Sequence, residues 1–316
     1  MGSEMCIRDS GVAQSTLTSY ESGRKRYIDF CTQFGIQPLP VTELSICRFV
    51  ASLALAHMTY QSIRSYLSAV RHWQIMNGLP DPAWSSFPRL DYVLKGIRRS
   101  NVGTPRPRRL PITPTLLRRI HQEWSRHPPS YDHTMLWAAF CLGFFAFMRA
   151  GEFTCPSHQA FTGGMLTVGD FAVDSHSSPS HLVVRLRQSK TDPFGAGLTI
   201  HLGATGDNLC PIAAMLGYLA VRPSTPGPIF LFSDGSTLSK PRLIRALRQV
   251  LQQVGMDDSS YSGHSFRIEA ATTAAQVGMS DALIKTLGRW KSTAYSLYIH
   301  TPLQELTSVS ANLVRV

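Results

Sequence analysis

The chain has 316 residues, enough for two domains that each bury a core. Hydrophobic residues make up 43% of it, a proportion that favours a folded protein over a disordered one. The formal net charge of +11 favours a polyanionic partner, with nucleic acid ahead of an acidic membrane surface.

The six cysteines are scattered, without CxxC pairs or histidine-rich neighbours. This spacing argues against a zinc site and a disulfide framework and favours a reducing compartment. The longest apolar run, Met135 to Met148, has 14 residues, which predicts a buried helix because a bilayer needs roughly 20. Residues 1–10 lack the apolar centre of a secretory signal and predict a non-native or disordered leader.

Residues 11–99 predict a small domain built only from helices. Apolar residues recur at helical spacing, and strand signals are missing. Four helices are predicted. The first stops at Gly35, and the second starts after Pro40 with Thr42 or Ser45 as its cap. The third runs from about Thr59 and ends before Asn77, and the fourth spans Leu90 to Arg99.

Residues 100–113 contain several prolines and a glycine, so they predict a linker without regular structure. From Lys95 to Arg119 there are eight basic residues and no acidic one. An isolated run of this kind is usually a solvated strap, but here it joins two domains of a basic protein, which favours contact with phosphates. The candidate DNA-binding residues are Arg98, Arg99, Arg106, Arg108 and Arg109.

Residues 114–316 predict a second, mainly helical domain with a C-terminal tail. Strand-like stretches at Leu166 to Val173, His181 to Arg187 and Leu198 to Leu202 predict a small antiparallel sheet. Helices return from Pro211.

Four clusters in this second domain carry residues suited to phosphate chemistry. Each also has an ordinary structural interpretation: an ion pair between Arg149 and Glu152, a capped helix behind His264 and Arg267, a turn at Lys190, and two core aromatics in Trp290 and Tyr298. His264 and Arg267 lie three residues apart, where both can bond one anion, and Ser262 or Ser265 is the expected cap of the helix that follows. Gly288 is the expected C-cap of a later helix.

Together, the ordered set Arg149, Lys190, His264-x-x-Arg267, Trp290 and Tyr298 resembles the tyrosine recombinases of the phage-integrase superfamily. Within it, the segment from Gly288 to Ile299 and the Asn208 to Ile212 stretch look most like recombinases of DIRS/Ngaro-type retroelements or related eukaryotic mobile elements. The resemblance implies a SAM-like four-helix core-binding domain and a catalytic domain with the DNA breaking-rejoining enzyme fold. Trp290 stands where many members carry histidine.

The resemblance also implies roles for these residues. Tyr298 is the nucleophile that forms a 3′-phosphotyrosyl bond, with Tyr295 as the alternative. Arg149, Arg267 and Trp290 bind the phosphate oxygens, and Lys190 protonates the leaving 5′-oxygen. His264 is a base or a further phosphate donor, and Glu152 orients Arg149 or His264.

The resemblance implies double-stranded DNA as the partner, bound by a homotetramer in the nucleus. We expect no cofactor, metal, membrane or small-molecule substrate. The apolar residues of the C-terminal tail suit docking into a neighbouring subunit or packing on their own domain equally well. Two other functions stay open: a DNA-binding protein derived from a recombinase that no longer cuts, and an enzyme like the type IB topoisomerases.

Overall fold

The computed structural model describes residues 11–100, 109–156, 164–175, 177–189, 192, 195–290 and 292–297. The chain divides into two compact units, residues 1–106 and 107–316. Most described residues are helical, and a small antiparallel sheet lies in the second unit. This agrees with the fold class predicted from the sequence.

Among its described residues, the first unit contains four long helices around an apolar core. They are α1 (Gln14–Gln33), α2 (Glu43–Leu55), α3 (Tyr60–Met76) and α4 (Pro88–Ser100). Thr42 is the N-cap of α2, and its hydroxyl accepts from the Ser45 N–H while the Ser45 side chain accepts from the Thr42 N–H. The two cap residues predicted as alternatives therefore act together.

The second unit contains seven further helices among its described residues. They are α5 (Pro114–Ser125), α6 (Tyr131–Phe145), α7 (Ala150–Phe153), α8 (Pro211–Val221), α9 (Lys240–Gln253), α10 (Ser265–Gln276) and α11 (Asp281–Leu287). Helix α6 is the centre of the core, because all ten residues from Met135 to Phe144 are buried. The predicted buried helix therefore exists, although it ends three residues before Met148.

The sheet has the order β1 (Phe171–Val173), β2 (His181–Leu186) and β3 (Leu198–Gly203). Both pairings are antiparallel, with Phe171 opposite Val184 and Val184 opposite Ile200. The first strand is shorter than the sequence predicts. Residues Val168–Asp170 form a 3₁₀ turn, in which the Asp170 carboxylate accepts from the N–H and hydroxyl of Thr167.

The segment just before α5 lies against the second unit rather than in solvent. The N–H groups of Leu110 and Ile112 donate to the carbonyls of Ser260 and Ser265, at 2.9 and 3.3 Å. Ile112 is completely buried. Neither residue has regular structure, and Leu110 stays exposed, but Ile112 is part of the core of the second unit.

Among the described residues, no helix has the length and apolar composition that a membrane span requires. Within the same part of the chain, no group of three or more His, Cys, Asp and Glu side chains is arranged to hold a metal ion. The five described cysteines are free thiols.

Candidate active site

The turn after α6 presents a backbone carbonyl that two arginines share. Phe147 has φ +50°, a left-handed conformation that bulky residues rarely adopt. The next N–H, that of Met148, closes the turn by donating to the Gly143 carbonyl at 3.1 Å. The Phe147 carbonyl accepts from Nη1 of Arg267 and, at 3.2 Å, from Nη2 of Arg289. Backbone strain of this kind is concentrated at functional sites.

Arg149 and Glu152 begin α7 and bind each other. The Arg149 N–H donates to Oε2 of Glu152 and its Nη1 donates to Oε1, both at 2.9 Å. The Glu152 side chain is 4% exposed and that of Arg149 is 19% exposed. The buried carboxylate therefore holds Arg149 while part of this side chain remains at the surface. The resemblance implies that Glu152 orients Arg149 or His264, and in the structure Glu152 contacts Arg149.

Arg289 is the second cationic partner of Glu152, and the sequence analysis gave it no role. Its Nη2 donates to Oε2 of Glu152 at 2.6 Å, and its Nη1 donates to the carbonyls of Ala146 and Leu287 at 3.0 and 3.2 Å. The side chain is 7% exposed. Burial lowers the pKa of Arg289, and the charge of Glu152 opposes that shift. Its only sequence signal is its place between Gly288 and Trp290.

Arg267 is buried beneath Trp290. It is 1% exposed, and its two terminal nitrogens donate to the carbonyls of Phe147 and Gly288. Its guanidinium carbon lies 4.1 Å from the centre of the Trp290 ring, a cation–π contact. Trp290 is 8% exposed and also packs edge-on against Phe147, at 6.5 Å between ring centres. Trp290 is thus a core aromatic and, at the same time, a neighbour of the proposed phosphate-binding arginines.

Two glycines allow these segments to approach closely. Gly288 is the C-cap of α11, as predicted, and a Cβ there would overlap the Trp290 ring. The left-handed residue at this helix end is not Gly288 but Arg289, with φ +57°. A Cβ on Gly263 would lie 2.7 Å from the Cβ of Ala150, so the turn that carries His264 packs against the start of α7.

His264 is itself the N-cap of α10, and no side chain caps this helix. The expectation that Ser262 or Ser265 is the cap is therefore wrong. The Ser262 hydroxyl accepts from the His264 N–H at 3.3 Å, while the Ser265 hydroxyl accepts from the Ser262 N–H at 3.0 Å. The serines stabilise the turn before the helix, and the His264 residue is exposed.

Tyr295, the alternative nucleophile, is poorly suited to attack. It is 8% exposed and packs against Trp290, with 6.1 Å between ring centres. Hydrogen bonding to Asp281 raises the pKa of the Tyr295 phenol, with burial as a further cause. A nucleophilic tyrosine must lose its proton, so both effects disfavour this role.

Several predicted residues lie outside the described part of the chain: Lys190, Tyr298, Arg106 and Arg108. Lys190 belongs to the connection between β2 and β3, where the described residues Ser189 and Asp192 form an isolated bridge. Arg98 and Arg99 are exposed in the last turn of α4. Arg109 is exposed and donates to the Ser259 carbonyl at 3.2 Å. The structure thus brings Arg149, Glu152, Arg267 and Trp290 into one connected cluster.

Known proteins share this architecture. The chain is similar to an integrase/recombinase xerD homolog of Selenomonas ruminantium, with 23% identity over 292 residues, 89% of this chain and 79% of the relative. The XerH site-specific recombinase, in a post-cleavage complex with its difH substrate, superposes with a TM-score of 0.66 at 14% identity, covering 98% of this chain and 83% of its own.

A Tn1549 transposon integrase in complex with transposon right end DNA gives a TM-score of 0.63 at 13% identity, covering 99% of this chain and 98% of its own. A lambda integrase dimer bound to a core site gives 0.59 at 18% identity, covering 94% and 92%. The chain has the fold of the tyrosine recombinases. No protein-family model matches the sequence.

The tyrosine-recombinase fold explains why separate segments meet in the cluster, which joins the end of α6, the start of α7, α10 and the turn after α11. The similarity shows the fold and no narrower relationship. The curated relative is bacterial, so the comparison gives no support to the retroelement relationship or the nuclear location expected from the sequence.

Proposed function

We propose that this recombinase-fold protein cleaves and rejoins double-stranded DNA through a covalent phosphotyrosine intermediate, with Tyr298 as the nucleophile. The observation that carries the proposal is the convergence of Arg149, Arg267 and Trp290, which are far apart in sequence, on one cluster. These three residue types, together with Lys190, His264 and Tyr298, form the ordered set from which the resemblance was drawn.

The charge of the cluster supports a phosphate ligand. It holds three guanidinium groups, those of Arg149, Arg267 and Arg289, and one carboxylate, that of Glu152. The sum is two positive charges in a largely buried region. Preorganised cations of this kind stabilise the negative charge that develops on a phosphate during transfer. Arg149 is the most exposed of the three and is the proposed direct ligand of the nonbridging oxygens.

The proposed reaction has two reversible steps. The Tyr298 oxygen attacks the scissile phosphorus, the bond from phosphorus to the 5′-oxygen breaks, and Lys190 gives that oxygen its proton. A 5′-hydroxyl then attacks the phosphotyrosine and restores the phosphodiester. The covalent bond conserves the energy of the original linkage, so rejoining needs no nucleotide cofactor. His264 is the proposed base or an additional phosphate donor.

The proposal that DNA is the substrate rests on the charge of the chain as well as on its fold. Arg98, Arg99, Arg106, Arg108 and Arg109 are the proposed phosphate contacts outside the reacting centre. The tetrameric assembly on DNA is likewise a proposal, drawn from the family resemblance.

The test is covalent capture on a pool of nicked suicide duplexes with randomised sequence around the nick. Loss of the short fragment beyond the nick prevents rejoining, so a cleaving enzyme accumulates as a protein–DNA adduct that survives denaturation. The proposal expects a 3′-linked adduct and a free 5′-hydroxyl that a kinase can label. A protein that retains this DNA but gives no adduct is the non-cutting descendant of a recombinase.

A further inference from the structure

Arg289 holds a central place in the cluster, although it is not part of the ordered motif and has been given only a share in the positive charge of the cluster. Its two terminal nitrogens make four hydrogen bonds: to Glu152 at 2.6 Å, and to the carbonyls of Ala146, Phe147 and Leu287 at 3.0 to 3.2 Å. Its side chain is 7% exposed. A buried arginine of this kind is costly unless its partners are fixed.

Two of these partners are shared with the arginines proposed to bind phosphate. Glu152 accepts from Arg149 through Oε1 and from Arg289 through Oε2. The Phe147 carbonyl accepts from both Arg267 and Arg289. Arg289 therefore shares one acceptor with Arg149, the Glu152 carboxylate, and another with Arg267, the Phe147 carbonyl.

Arg289 also fixes the backbone that carries Trp290. It adopts φ +57°, a left-handed conformation directly after the end of α11. The Trp290 N–H donates to the Lys285 carbonyl at 3.0 Å and closes this turn. Because the Arg289 side chain bonds to the Ala146 and Phe147 carbonyls, it attaches the turn after α11 to the turn after α6.

We propose that Arg289 is a positioning residue, which sets the orientation of Arg149 through Glu152 and that of Arg267 through the Phe147 carbonyl. This inference rests on the proposed function. Without Arg289, the buried Glu152 carboxylate has Arg149 as its remaining cationic partner among the contacts described here. It then draws that guanidinium further from the surface, where phosphate binds.

The test compares Arg289→Met with Arg222→Met as the matched control. Arg222 is also a buried arginine, and it donates to the carbonyls of Pro223, Thr225, Pro228 and Ile229. Both variants lose a buried guanidinium and several carbonyl bonds, so both are expected to unfold at lower temperature. Only Arg289→Met is expected to slow single-turnover cleavage at saturating DNA, by about 100-fold, since small misplacements of reacting groups have effects of this size.

Arg289→Lys is the conservative variant. Lysine supplies one point charge to Glu152 but lacks the planar fork that reaches the carbonyls as well. It is expected to cleave at a rate between those of wild type and Arg289→Met, with unchanged DNA affinity. Cleavage by Arg289→Met at the rate of Arg222→Met overturns the inference. If Arg289→Met does not fold, cleavage by Arg289→Lys at the wild-type rate overturns it instead.

A second readout needs no DNA and separates this inference from the proposed function. The ¹⁵N side-chain NMR signal of Arg149 is expected to shift in Arg289→Met or Arg289→Lys and to stay in place in Arg222→Met. A wild-type protein that gives no covalent adduct contradicts the proposed function alone. An Arg149 signal unmoved by either substitution at position 289 contradicts the positioning role, whatever the cleavage assay gives.

Discussion

The Arg267 guanidinium carbon lies 4.1 Å from the centre of the Trp290 ring, while its terminal nitrogens bond to the carbonyls of Phe147 and Gly288. One planar cation thus stacks on an aromatic ring and joins two turns. Lysine cannot do both, because its ammonium is a compact charge without a fork.

Arg267→Lys is therefore expected to destabilise the protein as well as the site. Each hydrogen bond from a charged donor contributes about 1.5–3 kcal/mol, and we expect the free energy of unfolding to fall by about 2–3 kcal/mol. Urea denaturation followed by tryptophan fluorescence measures this. Arg118→Lys is the control, since Arg118 forms an exposed ion pair with Asp207 and such pairs contribute at most about 1 kcal/mol. Equal unfolding midpoints for the two variants would contradict the prediction.

Gly288→Ala is expected to abolish covalent adduct formation and also to lower the free energy of unfolding. The added Cβ overlaps the Trp290 ring, so the ring must move away from Arg267. The matched control is Gly217→Ala in α8, where a Cβ has no neighbour within 4 Å and alanine favours the helix by up to about 1 kcal/mol. Adduct formation by Gly288→Ala at the Gly217→Ala rate would refute this account of the turn.

Glu269 is buried in α10, and burial raises the pKa of its carboxyl, with the Thr273 hydroxyl as an opposing hydrogen-bond donor. A raised pKa means that the folded state favours the protonated acid. The contribution of Glu269 to stability is therefore fully present below the pKa of the carboxyl in the unfolded chain, about 4.3. It is lost as the pH rises through the pKa of the carboxyl in the folded protein. Glu269→Gln is thus expected to raise the unfolding temperature more at pH 8 than at pH 5. An equal rise in the unfolding temperature at both pH values would contradict the raised pKa of Glu269.

Arg98 and Arg99 test the DNA-binding expectation through salt dependence. If both contact phosphates, Arg98→Ala/Arg99→Ala is expected to reduce the slope of log K against log salt by about 1.8. Lys95→Ala, in which a lysine paired with Asp91 at 2.7 Å is lost, is expected to change the slope less. Fluorescence anisotropy over a salt series measures both. An unchanged slope in the double variant would remove these arginines from the interface.

Much of the fold could be predicted because its signals are local. The helix that begins after Thr59 follows from side-chain periodicity, and the buried helix α6 follows from an unbroken apolar run. The first strand was placed too early because Val168 continues an apolar pattern. The turn at Val168–Asp170 depends on the Asp170 carboxylate reaching back to Thr167, a contact that periodicity does not reveal.

The site was only partly predictable for the same reason. Arg149, Arg267 and Trp290 belong to an ordered motif, so the sequence named them as candidates, and the structure places them in one cluster. The role of Arg289 depends on a left-handed backbone at a residue other than glycine and on acceptors more than 130 residues away, Glu152 and the Phe147 carbonyl. Nothing in the residues next to Arg289 predicts either feature.

The most direct test of the central claim is covalent capture by Tyr298→Phe beside Tyr295→Phe, on the suicide duplex selected by the wild-type protein. Phenylalanine removes only the hydroxyl, so folding and DNA affinity are expected to match wild type in both variants. The account predicts that Tyr295→Phe retains the protein–DNA adduct and that Tyr298→Phe loses it completely. An adduct that persists in Tyr298→Phe would show that another residue is the nucleophile and would contradict the account.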